Sequence, residues 1–286
     1  MKSKLSLSLS MAIFGTIAIF VRNVQASSAT VALMRAVIAT ICILLFQTAT
    51  RKPLNLKSIG KDIVPLFLSG AAMGFNWILL FEAYKYTTVS IATLSYYFAP
   101  VIVTVASAVL FCEKLGKKQI LCFVGSTIGL VLVIGLNNLR GGASAKGVLF
   151  GLSAAVLYAT VILLNKRIRS VSGTDRTVLQ FIAAIIVLTP YLLATEGIHL
   201  ENMTATGWLC LAVVGVIHTG VCYILYFSSL KNLRGQEAAI LSYIDPLVAV
   251  IISFTLLREP TTALQLVGGA MILGFTLLNE IGPKEA

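Results

Sequence analysis

The chain has 286 residues, 58% of them hydrophobic and 12% charged, with a formal net charge of +11. Ordinary soluble domains are about a quarter charged, so a mean hydropathy of +0.94 excludes a soluble enzyme and a soluble nucleic-acid-binding domain. Five cysteines without a C-x-x-C spacing predict neither a disulfide framework nor a structural zinc site.

A membrane-spanning helix needs about 20 mainly apolar residues. The chain offers ten such stretches in order, at residues 5–22, 29–48, 62–84, 88–111, 118–136, 146–165, 176–195, 206–230, 236–257 and 262–279. The expected fold is an all-α membrane protein of ten transmembrane helices, with short connections and no soluble domain. In the first stretch Lys2, Lys4 and the segment VQASS at 24–28 resemble a signal peptide. Cleavage is not expected, because it would leave nine spans and break the symmetry described below.

The second stretch holds Arg35. In the third come Asn76, Trp77 and, near its end, Glu82; in the fourth Tyr97, Pro100 and a terminal Glu113. The sixth contributes Tyr158 and Asn165, the eighth His218 and Tyr223. The ninth reads SYIDPLVAV at 242–250, placing Tyr243, Asp245 and Pro246 inside an apolar run that ends near Glu259. If the N-terminus is cytoplasmic, sixteen Lys and Arg fall on the cytoplasmic side and five (Arg22, Lys85, Arg140, Lys146 and Arg258) on the other. That bias predicts a cell inner-membrane protein with both termini cytoplasmic, and it explains the basic charge without a nucleic-acid partner.

Laying residue i over residue i+146 aligns 75–119 with 221–265 without a gap, and eleven positions are identical, among them Lys85/Lys231, Tyr97/Tyr243, Pro100/Pro246, Ser107/Ser253 and Glu113/Glu259. Two related halves follow, residues 1–137 and 146–280. With five spans each, an odd number, the second half enters the membrane inverted. Inverted repeats characterise secondary transporters.

The stretches APVIVTVASAVLFCEKLGKKQILCFVGSTIGLVLVIG (99–135) and DPLVAVIISFTLLREPTTALQLVGGAMILGFTLL (245–278) resemble the duplicated signature of the drug/metabolite transporter superfamily in its EamA-type branch. That resemblance spans essentially the whole chain. It implies a ten-helix secondary transporter of small molecules whose central cavity is formed by helices one, three, four, six, eight and nine. It leaves open whether the cargo is an amino acid, another metabolite, a polyamine or a cationic drug.

Pro100 and Pro246 deprive the carbonyls of Tyr96 and Ser242 of their helical partners, so helices four and nine are expected to bend there, as hinges or as fixed kinks. Glu113 and Glu259 sit at opposite ends of these helices, where an acid opposes the helix dipole. They are expected to bind a basic neighbour, Lys114, Lys117 or Lys118 for Glu113 and Arg258 for Glu259, as structural or gate-latching residues.

An intramembrane charge costs about 2.5–3.5 kcal/mol on insertion scales and marks a partner or a wet path. Arg35, Glu82 and Asp245 are such charges, and none recurs in the other half. Asp245 is expected to hold an ammonium group or a proton, or else to lock onto Arg35 or a tyrosine hydroxyl. Glu82 is read either as a site residue or as a boundary partner of Lys85. Trp77, Tyr97, Tyr158, Tyr223 and Tyr243 are pocket-lining candidates, with Asn76 and Asn165 as polar groups; His218 either relays protons or packs.

A buried cation with buried anions suits a zwitterion, so the preferred reading is an exporter of amino acids or related small metabolites working by alternating access, driven by the substrate gradient or by a coupled ion, for which a proton on Asp245 is one candidate. A cationic amine or drug held by aromatics and Asp245 is the alternative. A membrane-embedded enzyme is the rival class. Against it, the chain has no H-E-x-x-H, no G-x-S-x-G and no Walker motif, and neither a cofactor nor a metal is expected.

Overall fold

A computed structural model describes residues 2–51, 54, 59–110, 116–135, 143–171, 173–230, 232–233 and 235–280. Fourteen α-helices among them build ten spans. Span one is α1 (Lys2–Gly15) with α2 (Ile17–Val21), span two α3 (Ser28–Ala49), span three α4 (Ile63–Tyr86). Span four is α5 (Val89–Tyr96) with α6 (Ala99–Leu110), and span five is α7 (Lys117–Ile134). The second half repeats the order with α8 (Ala143–Arg167), α9 (Gly173–Thr195), α10 (Ala205–Val213) joined to α11 (Cys222–Leu230), α12 (Gly235–Ser242) with α13 (Ile244–Thr255), and α14 (Ala263–Glu280). Eight spans are long and apolar enough to cross a membrane on their own, and the ninth and tenth present shorter apolar helices, Ile240–Thr255 and Ala263–Asn279.

Local chemistry fixes where these helices start. The hydroxyls of Ser27, Thr88 and Thr204 accept from the amides of Thr30, Ile91 and Gly207, each three residues on, the usual N-cap bonds. The outer surfaces of the helices are apolar: Leu5, Val109, Leu149 and Leu193 are more than 65% exposed. In water such a surface would be an aggregation liability, whereas against lipid it costs nothing.

Both proline expectations meet a break in the helix. Span four is interrupted at Tyr97 and Phe98, span nine at Tyr243, each one turn before its proline. Tyr97 and Tyr243 both have ψ near zero (4° and −8°), away from the usual α-helical value, and the amides of Phe98 and Tyr243 reach back only three residues. A third irregularity has no proline. Between α10 and α11 the chain runs as a π-helix over Val214–Val221. There the Thr219 hydroxyl donates to the Val214 carbonyl at 2.8 Å.

Of the two faces of the bundle, the terminal face carries the start of α1 and the end of α14; the far face carries Arg22 and Glu259. α4 lies along α8 and α9, α3 against the π segment and α9, and α7 along α14. Spans four and nine pack unequally. Their far-face halves, α5 and α13, pack on one another, whereas their terminal-face halves diverge, α6 onto α8 and α12 onto α1. Gly15 lets α1 approach α13 closely: a Cβ there would lie 2.6 Å from the Asp245 carbonyl oxygen, so only a residue without one fits.

Candidate functional site

Arg35 and Asp245 anchor the centre. Arg35, 3% exposed in α3, donates from Nε to the Thr219 hydroxyl at 3.0 Å, and its guanidinium lies 4.2 Å from the Trp77 ring centre and 5.4 Å from that of Phe81. Cation–π contact and one neutral hydrogen bond replace part of the hydration lost on burial. Among the described residues Arg35 has no ion pair, with Asp245 or with any other carboxylate.

Asp245 stands in the first turn of α13, where the helix dipole favours a negative charge. This placement follows from the break at Tyr243, which starts a helix in the middle of the span. The Tyr97 hydroxyl donates to Asp245 Oδ2 at 2.7 Å. Thus the tyrosine of one broken helix holds the aspartate of the other, and the Tyr97 and Tyr243 rings lie 6.5 Å apart. Of the two locks expected for Asp245, the tyrosine bond is present and the Arg35 pair is not.

Tyr84, Tyr96, Cys222 and Tyr223 are each close enough to both charges to interact with them electrostatically. Tyr158 extends this aromatic wall, with its ring 5.3 Å from that of Tyr96. Tyr223 packs edge-on against Phe14 and Phe181, and Phe181 in turn against Trp77. Spans one, two, three, four, six, seven, eight and nine all reach this cluster.

Other expected residues are placed elsewhere. Asn76 donates to the Ala154 carbonyl at 2.6 Å and fastens α4 to α8. Asn165 accepts from Gln180 at 2.8 Å, and Gln180 also donates to Ser69 at 2.5 Å, a network near the terminal face. Glu82 pairs with Lys85 at 2.8 Å near the far face. His218 is buried, bonded to Thr16 Oγ1 at 2.8 Å and packed on Phe20. Pro100 and Pro246 sit just beyond the two breaks. Glu113 and Lys114 lie outside the described residues.

Glu259 differs from expectation in its partner. Arg258 adopts φ +51°, a left-handed turn that costs a non-glycine residue roughly 1–2 kcal/mol. The turn carries the Glu259 side chain back over the end of span nine. There Glu259 Oε1 accepts from Arg22 Nη1 at 2.5 Å, and Oε2 accepts from the Val89 amide at 2.8 Å and the Ser253 hydroxyl at 2.5 Å. Arg22 also donates to the Tyr84 and Thr87 carbonyls at 2.9 and 3.0 Å. One arginine and one glutamate thereby tie spans one, three, four and nine together across the far face.

Sequence reasoning does not single out Arg22, Tyr84, Tyr96, Thr219 or Cys222 as site residues. Tyr96 adjoins Tyr97 and is within reach of the same argument. Arg22 follows an apolar run directly and so looks like a loop charge. Thr219 depends on the π segment, for which no residue pattern gives a signal.

Comparison with known proteins agrees with this architecture. The EamA-like transporter family matches twice, over residues 1–135 and 145–280. An uncharacterized transporter of Bacillus subtilis is 28% identical over 96% of this chain and 89% of its own length, and one of Archaeoglobus fulgidus is 30% identical over 94% and 93%. A probable amino-acid metabolite efflux pump of Salmonella typhimurium is 26% identical over 61% of this chain and 62% of its own. A solved crystal structure superposes with a TM-score of 0.68 at 17% identity, covering 96% of each chain, a likeness of fold alone. The ten-helix membrane fold, its duplication and these matches together place the chain in the EamA-like transporter family, within the drug/metabolite transporter superfamily, as a membrane transporter.

Proposed function

We propose that this transporter exports amino acids or closely related zwitterionic metabolites from the cytoplasm, by alternating access between two five-helix repeats, residues 1–137 and 146–280. One observation carries the substrate reading. Two opposite charges, Arg35 buried and Asp245 half-buried, lie in one aromatic-walled region and are not paired with each other. An internal pair would neutralise both; separate charges suit a solute that brings a carboxylate to Arg35 and an ammonium to Asp245. The named efflux pump of Salmonella typhimurium, a distant relative, adds support.

In this reading Trp77, Tyr96, Tyr97, Tyr158, Tyr223 and Tyr243 surround the solute. Tyr97 orients Asp245 and takes up the hydrogen bond again when the ammonium leaves. Asp245 also exchanges a proton as the solute arrives, which couples export to the proton gradient. Pro100 and Pro246 are the hinges. With both termini on the cytoplasmic side of the inner membrane, as the distribution of Lys and Arg suggests, the terminal face is cytoplasmic. The divergence of α6 from α12 then opens inward, while the Arg22–Glu259 tie closes the outside. Nothing in the reading requires the solute to be changed chemically.

A cationic amine is the second reading, favoured by the clustering of Tyr96, Tyr97, Tyr158 and Tyr243 around Asp245. Uptake of a radiolabelled amino-acid mixture into proteoliposomes, with polyamines and quaternary amines as a second panel, separates the two. The zwitterion reading expects amino acids to move unaltered and Arg35→Gln and Asp245→Asn each to stop them. Movement of amines alone, insensitive to Arg35→Gln, overturns it.

A further inference from the structure

A cavity with polar walls lies at the far face and adjoins the Arg35–Asp245 region through Tyr84 and Phe81. It has a volume of about 450 Å³ and is bounded by Arg22, Ser28, Tyr84 and Lys85, with Val31 and Phe81 beneath. Four features of its wall concern anions. Arg22 and Lys85 supply two cationic groups. Ser28 is the first residue of the 22-residue helix α3, whose first turn holds no acid, so the positive end of its dipole lies at the cavity wall. Ser28 is 2% exposed and its buried hydroxyl has no hydrogen-bond partner, although buried hydroxyls are nearly always bonded. Finally, the two acids nearby, Glu259 and Glu82, are already engaged by Arg22 and Lys85.

We infer that this cavity is a binding site for a small carboxylate presented from the far face, and that its occupation releases the Arg22–Glu259 tie. Arg22 belongs to both structures, and its guanidinium holds Glu259 with one nitrogen and the Tyr84 and Thr87 carbonyls with the others. A carboxylate between Arg22 and Lys85 competes with Glu259 for the same donor and accepts in addition from Ser28. A ligand shifts a conformational equilibrium only by its differential affinity for the two states. Here the difference is built in, because Arg22 offers its outer nitrogen fully to the ligand only when Glu259 has let go. Phe81 completes the arrangement: its ring is floor to the cavity and stacking partner to Arg35, so a carboxylate passing Phe81 goes from one arginine to the other. A solute waiting outside thus promotes the opening through which the next exchange occurs.

The identity of the carboxylate as cargo follows the proposed function; the site and its effect on the tie do not depend on it. Val89, fully buried beneath Glu259, reports the tie. The experiment measures labelling of Val89→Cys by a membrane-impermeant maleimide, read by peptide mass spectrometry, in vesicles of phosphatidylcholine at constant ionic strength. Acetate should raise the rate about threefold or more, with chloride and tetramethylammonium without effect. Lys85→Gln should remove the acetate response and Lys85→Arg keep it. Glu259→Gln should label fast without acetate, which confirms that position 89 senses the tie. Labelling insensitive to acetate, equally sensitive to chloride, or still responsive in Lys85→Gln overturns the inference, as does slow labelling of Glu259→Gln. A response that requires anionic lipid in the vesicle instead assigns the cavity to a headgroup and also overturns it. Since no transport is measured, failure of the substrate reading leaves this readout intact.

Discussion

At the scale of single residues, burial is legible in the sequence and direction is not. Insertion cost singles out Arg35, Glu82 and Asp245, since each charge at depth needs a reason. What each one faces depends on helix rotation, and spans apolar all round carry no moment that reveals it. Hence Asn76, chosen for the same polarity and depth, turns out to hold the Ala154 carbonyl, and Glu82 turns to Lys85. These placements separate two kinds of substitution. Asn76→Ala removes a buried hydrogen bond between α4 and α8, which costs about 0.5–1.5 kcal/mol; a lower melting temperature with KM unchanged is the expected result. Arg35→Lys keeps the charge and loses the planar face that stacks on Trp77. Counterflow assays should show KM raised about tenfold with the fold intact by thermal melting, and an unchanged KM would remove Arg35 from the substrate's path.

Elements are legible where a covalent constraint announces them. Pro100 and Pro246 each lack an amide hydrogen, and the helices break about three residues earlier, at Tyr97 and at Tyr243. The consequence for Asp245 is not legible: breaking span nine makes a helix N-terminus at mid-depth and turns an isolated acid into a first-turn residue held by Tyr97. The π segment of span eight is invisible as well, because Val214–Val221 contains ordinary apolar and small residues and its register is set by packing on α3. If the break in span nine serves movement, Pro246→Ala should lower turnover several-fold, since it offers the Ser242 carbonyl a helical partner again. Substrate affinity, measured by binding to detergent-solubilised protein, should stay within about twofold. Turnover equal to wild type would make the bend a matter of packing.

For the molecule as a whole, composition dictates a ten-span bundle, and the ungapped offset of 146 residues reveals the duplication. If the chain alternates as proposed, a symmetric alignment cannot tell which arrangement it adopts, because the two halves offer similar packing energies in either one. The structure has α5 on α13 and α6 and α12 apart. The Arg22–Glu259 tie goes with it, formed from side chains 237 residues apart that no local pattern connects. What this bundle grips, in the proposed function, is a solute held at both ends by Arg35 and Asp245. The most direct test compares uptake of an amino acid with that of the same molecule lacking its amine and of the same molecule lacking its carboxylate, in wild type and in Asp245→Asn. Because a site built around a polar group strongly rejects an analogue without it, wild type should prefer the zwitterion over either fragment by about tenfold or more, and Asp245→Asn should lose its preference over the amine-free acid. Equal preferences in wild type and Asp245→Asn would contradict the two-ended grip.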